Sequence, residues 1–255
     1  MGIIRAVFLS TLLAALAACA SSPAPQSSAP PASGASSQEA RLGSVPRPVQ
    51  PSRVAARSFV QMIDRVEPVA ERLCRERNPR ANCDFIILVD DRPGEPPNAF
   101  QMLDESGQPI IVFTLALIAD LQNADEMAFV LAHEAGHQVA GHIARSEENA
   151  RTAAAVFSGI AGVSGASSEA VRMAAELGAA VGARRYSKEF ELEADAVGTE
   201  IALLAGYDPL LGSAFFFRIA DPGDRFLGSH PANAERIAVV RQTVAALQGA
   251  VQPGA

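Results

Sequence analysis

One segment constrains this chain more than any other, His133-Glu134-Ala135-Gly136-His137. The chain has only four histidines, at 133, 137, 142 and 230, and three of them fall in one ten-residue window. Asn123 with Glu126 three residues on forms a capping-box pattern, so the spacing predicts a helix from Asn123 to about Arg145. Residues four apart on a helix share a face, so both imidazoles can reach a single ion. Glu134 lies about 100° further round and can set its carboxylate beside a water at that ion. A hydrolytic zinc site takes three protein ligands and keeps a fourth position open. A third ligand from the same segment would need Gly at 140 and His at 143, where the chain has Ala140 and Ile143. On a continuous helix, His142 is half a turn away from His133 and faces away. The fold must therefore bring a second element against this helix face.

Glu191-Leu192-Glu193-Ala194-Asp195 supplies that element. It lies in a segment predicted to be helical from about Lys188 to Ala205 and stopped by Gly206. Glu191 and Asp195 are four apart and share a face. Glu191 would bind the ion, while Asp195 would accept the free N–H of a ligand histidine, assigned to His133, and fix its tautomer. Glu193, two residues from Glu191, points elsewhere and reads as a surface charge.

The amino terminus reads as an address. Arg5 precedes an apolar stretch from Ala6 to Ala18, too short for a membrane span and laid out as a secretory signal. Leu16-Ala17-Ala18-Cys19 resembles the lipobox of bacterial lipoproteins, in which the Cys becomes the lipidated first residue. Residue 20 is Ala and not Asp, which by the same resemblance favours the outer membrane. The expected organisation is a signal at 1–18, lipidated Cys19 with a disordered tether to 51, and a folded domain over 52–250. The tether contains seven Pro and cannot bury enough apolar surface to offset its chain entropy. As a flexible coil it would span roughly 30 Å. A formal charge of −7, no Trp and two Tyr exclude the basic face and stacking platform of a nucleic-acid binder.

Within the domain, apolar residues at 55, 59, 62, 66, 69 and 73 mark one helical face, with Pro68 expected to kink or divide the helix. Cys74 and Cys83 form a disulfide in a secreted chain, with two buried thiols as the alternative. Phe85 to Val89 reads as a strand, and Asn98–Leu103 with Pro109–Phe113 as a hairpin around Asp104-Glu105-Ser106-Gly107. Residues 150–183 are rich in Ala, Gly and Ser. They read as loosely packed helix with glycine breaks, either a mobile cover or a plain helix pair. Further helices are expected through Phe215–Phe217 and over about Pro231–Leu247.

The combination of HExxH with His142, Glu-x-x-Ala-Asp on a later helix, and Ser229-His230-Pro231 before Glu235-Arg236-Ile237 resembles one family. It contains the Ste-type CAAX prenyl protease, the heat-shock protease HtpX and soluble periplasmic relatives, and the likeness covers about Asn98 to Val240. The resemblance implies an α+β, mainly α, zincin-like (gluzincin) domain with a small sheet or hairpin ahead of the HExxH helix. It also implies one zinc ion per chain on His133, His137 and Glu191, with Glu134 as general base. His230 matches a family histidine that approaches the metal from the opposite side, as transition-state stabiliser or as inhibitory fourth ligand. Asn98-Ala99-Phe100 matches the segment ahead of the zinc helix, where an extended substrate could pair by edge addition. The implied activity is a periplasmic, outer-membrane-anchored zinc endopeptidase for unfolded or misassembled proteins, with outer-membrane assembly machinery as a possible partner. Two other readings remain open, a tethered chaperone with a structural or latent zinc and a hydrolase of cell-wall peptides.

Overall fold

The computed structural model describes residues 51–184, 187–219 and 231–250. The expected leader, Cys19, the tether as far as residue 50 and His230 lie outside the described residues.

Helix α1 (Arg53–Arg77) begins at Ser52, whose hydroxyl accepts the Ala55 N–H, and buries Phe59, Met62, Val66, Ala70, Leu73 and Cys74. The expected division at Pro68 does not occur: Pro68 lies inside the helix and is exposed. Pro68 has no N–H to offer the Asp64 carbonyl, and burial of Val66 and Ala70 on either side of it holds the helix continuous. Cys74 is disulfide-bonded to Cys83, which folds the chain back towards the sheet.

The strands are β1 (Ile86–Asp90), β2 (Ala99–Leu103) and β3 (Pro109–Thr114), in the order β1-β3-β2. β2 and β3 form the expected antiparallel hairpin, with Phe100 opposite Val112. Its turn is set by the Asp104 carboxylate, which accepts the N–H groups of Ser106 and Gln108, and by Gly107 at φ 82°. β1 joins β3 in parallel, a pairing the sequence did not indicate. Ile111 and Phe113 point inward, and Phe113 meets Phe59 of α1 edge-on at 5.0 Å. α2 (Leu115–Asp120) then leads into α3 (Ala124–Val139).

The α3 N-cap is Asn123, which accepts the Glu126 N–H. The Glu126 carboxylate accepts from Gln122 instead of Asn123 and also takes two bonds from Arg218, at 2.6 and 2.7 Å. The helix ends six residues earlier than its pattern suggests. Gly141 at φ 68° reverses the chain, and a new helix α4 runs from His142 to Val163. Only glycine adopts this conformation without strain.

α4 pairs with α5 (Ser168–Arg184) as a helical hairpin. Gly178 and Gly182 are contact points: a Cβ on Gly182 would lie 2.3 Å from the Asn149 carbonyl oxygen, and one on Gly178 2.5 Å from that of Ala153, whereas one on Gly159 or Gly162 would meet nothing within 4 Å. The two helices approach closely at those two glycines, and the expected glycine break falls at Gly165 (φ 75°), in the turn between them. α6 (Ser187–Leu204) follows and is terminated by Gly206 at φ 83° with Tyr207 N–H on the Ala202 carbonyl. Short α7 (Pro209–Gly212), a 3₁₀ turn (Ser213–Phe217) and α8 (Asn233–Ala250) complete the described chain. No helix among the described residues is long and apolar enough to cross a membrane.

α3 and α6 approach closely because two glycines face each other's backbones. A Cβ on Gly136 would stand 2.9 Å from the Ala194 oxygen, and one on Gly198 2.8 Å from the His133 nitrogen. Gly198→Ala must therefore push the helices apart. We expect it to cost about 1–3 kcal/mol, read as a lower denaturant midpoint, together with weaker metal binding because His133 and Asp195 sit on either side of the seam.

Candidate metal centre

The close α3–α6 seam sets His133 and His137 from one helix against Glu191 and Asp195 from the other. His133 Nε2 lies 3.2 Å from His137 Nε2. Glu191 offers Oε2 to His133 Nε2 at 3.5 Å and Oε1 to His137 Nε2 at 3.6 Å. Ligand atoms about 2.0–2.2 Å from one tetrahedral ion lie about 3.3–3.6 Å apart. The two imidazole nitrogens and the two Glu191 oxygens thus lie close to the spacing a zinc ion requires, and among the described residues these three side chains form the group able to hold one. The donor set, two imidazoles and a carboxylate, also suits zinc.

His133 Nδ1 meets Asp195 Oδ1 at 2.9 Å, and Asp195 is fully buried. Arg236 of α8 donates from Nε to Asp195 Oδ2 and from Nη2 to Oδ1, both at 2.7 Å. Its guanidinium lies 4.0 Å over the Phe216 ring and 3.7 Å from Glu191 Oε2. This buried fork neutralises Asp195, so the carboxylate can orient His133 without remaining an uncompensated buried charge.

Burial opposes protonation of His133, but hydrogen bonds to Asp195 and Glu191 prevail and push its pKa up to about 10. Burial, reinforced by the positive charge on His133, lowers His137 to about 3. A metal must therefore displace the proton on His133. Between pH 6 and 8, both below that value, apparent zinc affinity should rise about tenfold per pH unit, measured by competition with a chromophoric chelator.

Glu134 lines the same cleft, which encloses about 600 Å³. Burial raises its pKa, while the charge on His133 and a hydrogen bond from the Gln101 backbone N–H work the other way. A carboxyl held between these influences is suited to accept and return a proton.

Asn98, Ala99, Phe100 and Gln101 form one rim of the cleft. β2 is at the sheet edge, so one side of it is without a ladder partner among the described residues. Gln101 Nε2 donates to Gln138 Oε1 at 3.2 Å, and Gln138 Nε2 donates to the Asn82 carbonyl at 2.8 Å. Asn78 Nδ2 in turn donates to the Gln138 carbonyl at 3.1 Å. The strand is thereby tied to the end of α3 and to the disulfide-closed loop.

Two residues stand where the sequence did not place them. His142 does not face away: its Nδ1 lies 2.8 Å from His137 Nδ1, because Gly141 turns the chain back over the end of α3. Glu193 is half-exposed, yet it lies 3.2 Å from His142 Nε2 and 2.8 Å from Arg145 Nη1. Arg236 was legible only as part of a motif, with no role attached. The glycine at 141 was the available signal for His142; Arg236 had none until Asp195 was known to be buried.

The family model for peptidase family M48 matches residues 61–244. The chain is 33% identical over 129 residues to the beta-barrel assembly-enhancing protease of Yersinia pestis, covering 48% of this chain and 26% of that protein. It is 28% identical over 144 residues to the protein of the same name from Escherichia coli K12, covering 51% and 30%. The matched region thus spans less than a third of these relatives' length. The M48 peptidase domain is zincin-like, in agreement with the helical architecture and small sheet seen here.

Proposed function

This chain belongs to peptidase family M48, and we propose that it is a zinc-dependent endopeptidase acting on unfolded or misassembled proteins. The observation that carries this reading is the spacing of His133, His137 and Glu191, with Glu134 in the same cleft and an edge strand along its rim. Zinc, when bound, supplies Lewis acidity to a water and to the scissile carbonyl. Glu134 takes the proton from the attacking water and delivers it to the leaving amine nitrogen. Asp195 and Arg236 hold His133 in the tautomer that leaves Nε2 free for the metal. An extended substrate adds to β2 through main-chain hydrogen bonds, which read backbone more than side chains. That mode suits segments without stable structure of their own.

We place the enzyme in the periplasm, tethered to the outer membrane through lipidated Cys19, with outer-membrane proteins as substrates and the assembly machinery as a partner. The lipobox-like segment and the names of the two relatives support this placement. Growth of cells carrying radiolabelled palmitate tests the anchor: label in the wild type and none in Cys19→Ala is expected, and an unlabelled wild type would remove it.

Part of the cleft is walled by Leu117, Val130, Phe215 and Ile219. A bulky apolar side chain next to the scissile bond should therefore be favoured. In peptides derived from mapped casein cleavage sites, replacing that side chain with Asp should lower kcat/KM by about tenfold or more. Equal cleavage of both peptides would show that this wall does not select.

A further inference from the structure

The two histidines that would hold the metal are oriented by different means. His133 meets a buried carboxylate directly, whereas His137 Nδ1 meets another imidazole, His142 Nδ1, at 2.8 Å. His142 is buried and stacked on Phe190, with ring centroids 4.4 Å apart and planes at 11°. Its far nitrogen, Nε2, lies 3.2 Å from Glu193 Oε2. That carboxylate is anchored by Arg145 Nη1 at 2.8 Å, and the same nitrogen donates to the Ala140 carbonyl at the end of α3.

With both imidazoles neutral, the state in which His137 can hold a metal, the hydrogen-bonding inventory allows one arrangement of protons along this line. An ionised carboxylate only accepts, so His142 Nε2 carries the hydrogen that meets Glu193. A neutral imidazole then has a bare Nδ1, which must accept. The donor facing it is His137 Nδ1–H, and the lone pair of His137 is left on Nε2, directed at His133 and Glu191. We propose that Glu193 and His142 are positioning residues that fix the tautomer and ring plane of His137 through a carboxylate–imidazole–imidazole chain, an indirect counterpart of the Asp195 contact to His133. The proposal rests on the metallopeptidase reading, and it gives a role to a histidine that is not itself among the three ligands.

Geometry supports the chain beyond its distances. Gly141 turns α4 so that His142 returns over the last turn of α3, and Arg145 one turn later ties Glu193 to the end of α3. Orienting partners of this kind typically change metal affinity by about 10–100-fold when removed.

The test is zinc affinity of the full chain, measured by chelator competition with zinc alone and read beside the denaturation midpoint. His142→Leu keeps apolar bulk but removes the acceptor, and should weaken zinc binding by about tenfold or more. His142→Asn places an amide oxygen close to the position of Nδ1 and should retain most of the affinity. Glu193→Ala, at a half-exposed position that does not threaten folding, should weaken binding several-fold. The same change added to His142→Leu should do nothing further, because the chain is already cut. Wild-type affinity in His142→Leu or in Glu193→Ala would overturn the chain, as would equal losses in the Leu and Asn variants or additive losses in the double variant. Those outcomes leave a zinc-binding wild type and so spare the metallopeptidase reading. A folded wild type that binds no zinc would remove both.

Discussion

Glu134→Gln should lower proteolysis of an unfolded substrate by about 10²–10⁴-fold while the chain keeps its zinc and its fold. The change is nearly isosteric, and Glu134 is not among the three donors whose spacing fits the ion. What it removes is the group proposed to accept the water's proton and return it to the amine. The stability change has a definite sign. Burial raises the pKa of Glu134 in the folded chain, so above that value the folded state carries a charge it disfavours relative to the unfolded state. The Gln variant should therefore be at least as stable as the wild type near neutral pH, as expected where a catalytic group is held at a cost to the fold. Casein turnover, zinc content and a denaturation curve on one preparation check all three statements. Retained proteolysis would remove Glu134 from the mechanism. Loss of activity with full support of function in cells would favour the tethered chaperone.

The second large effect is at Arg236. Its guanidinium makes both of its short bonds to Asp195, a residue with 0% exposure, and is itself only 8% exposed. Arg236→Met would leave that carboxylate with His133 but without its main counter-charge. Breaking one partner of a buried pair typically costs about 3–5 kcal/mol, to be read from denaturant unfolding. Zinc binding should weaken as well. The guanidinium's charge opposes protonation of His133, so its loss makes the proton that the metal must displace harder to remove. A variant carrying both Arg236→Met and Asp195→Asn should recover much of the stability, because no unpaired charge remains and the amide oxygen can still accept from His133. If the double variant is no more stable than Arg236→Met alone, the cost lies in lost packing on Phe216 and not in the charge.

What the sequence revealed depended on how local the signal was. Helical spacing alone put His133 with His137, and Glu191 with Asp195, because four residues make about one turn. The α1 face was equally plain: of the six positions expected, four are buried and Ala55 and Val69 pack against the core. The hairpin was legible from Asp104 to Gly107. What failed was continuity. The α3 pattern continues past Val139, and without reading Gly141 as a left-handed terminator His142 is rotated out of the site. Glu193 was set aside on the same kind of argument from helix geometry. Its partner comes from α4, which no spacing within α6 can disclose. Arg236 and the parallel pairing of β1 with β3 were hidden for a related reason: each depends on an element far along the chain. The glycines at 178 and 182 looked like breaks because a missing side chain reads locally as flexibility, whereas here it permits close helix contact.

The most direct test of the central claim is the metal content of the purified full chain, prepared without chelators and compared with Glu191→Ala by mass spectrometry. One zinc per wild-type chain is expected, with its loss from the variant. A folded wild type without zinc, or a variant that holds the ion as firmly as the wild type, would contradict the claim.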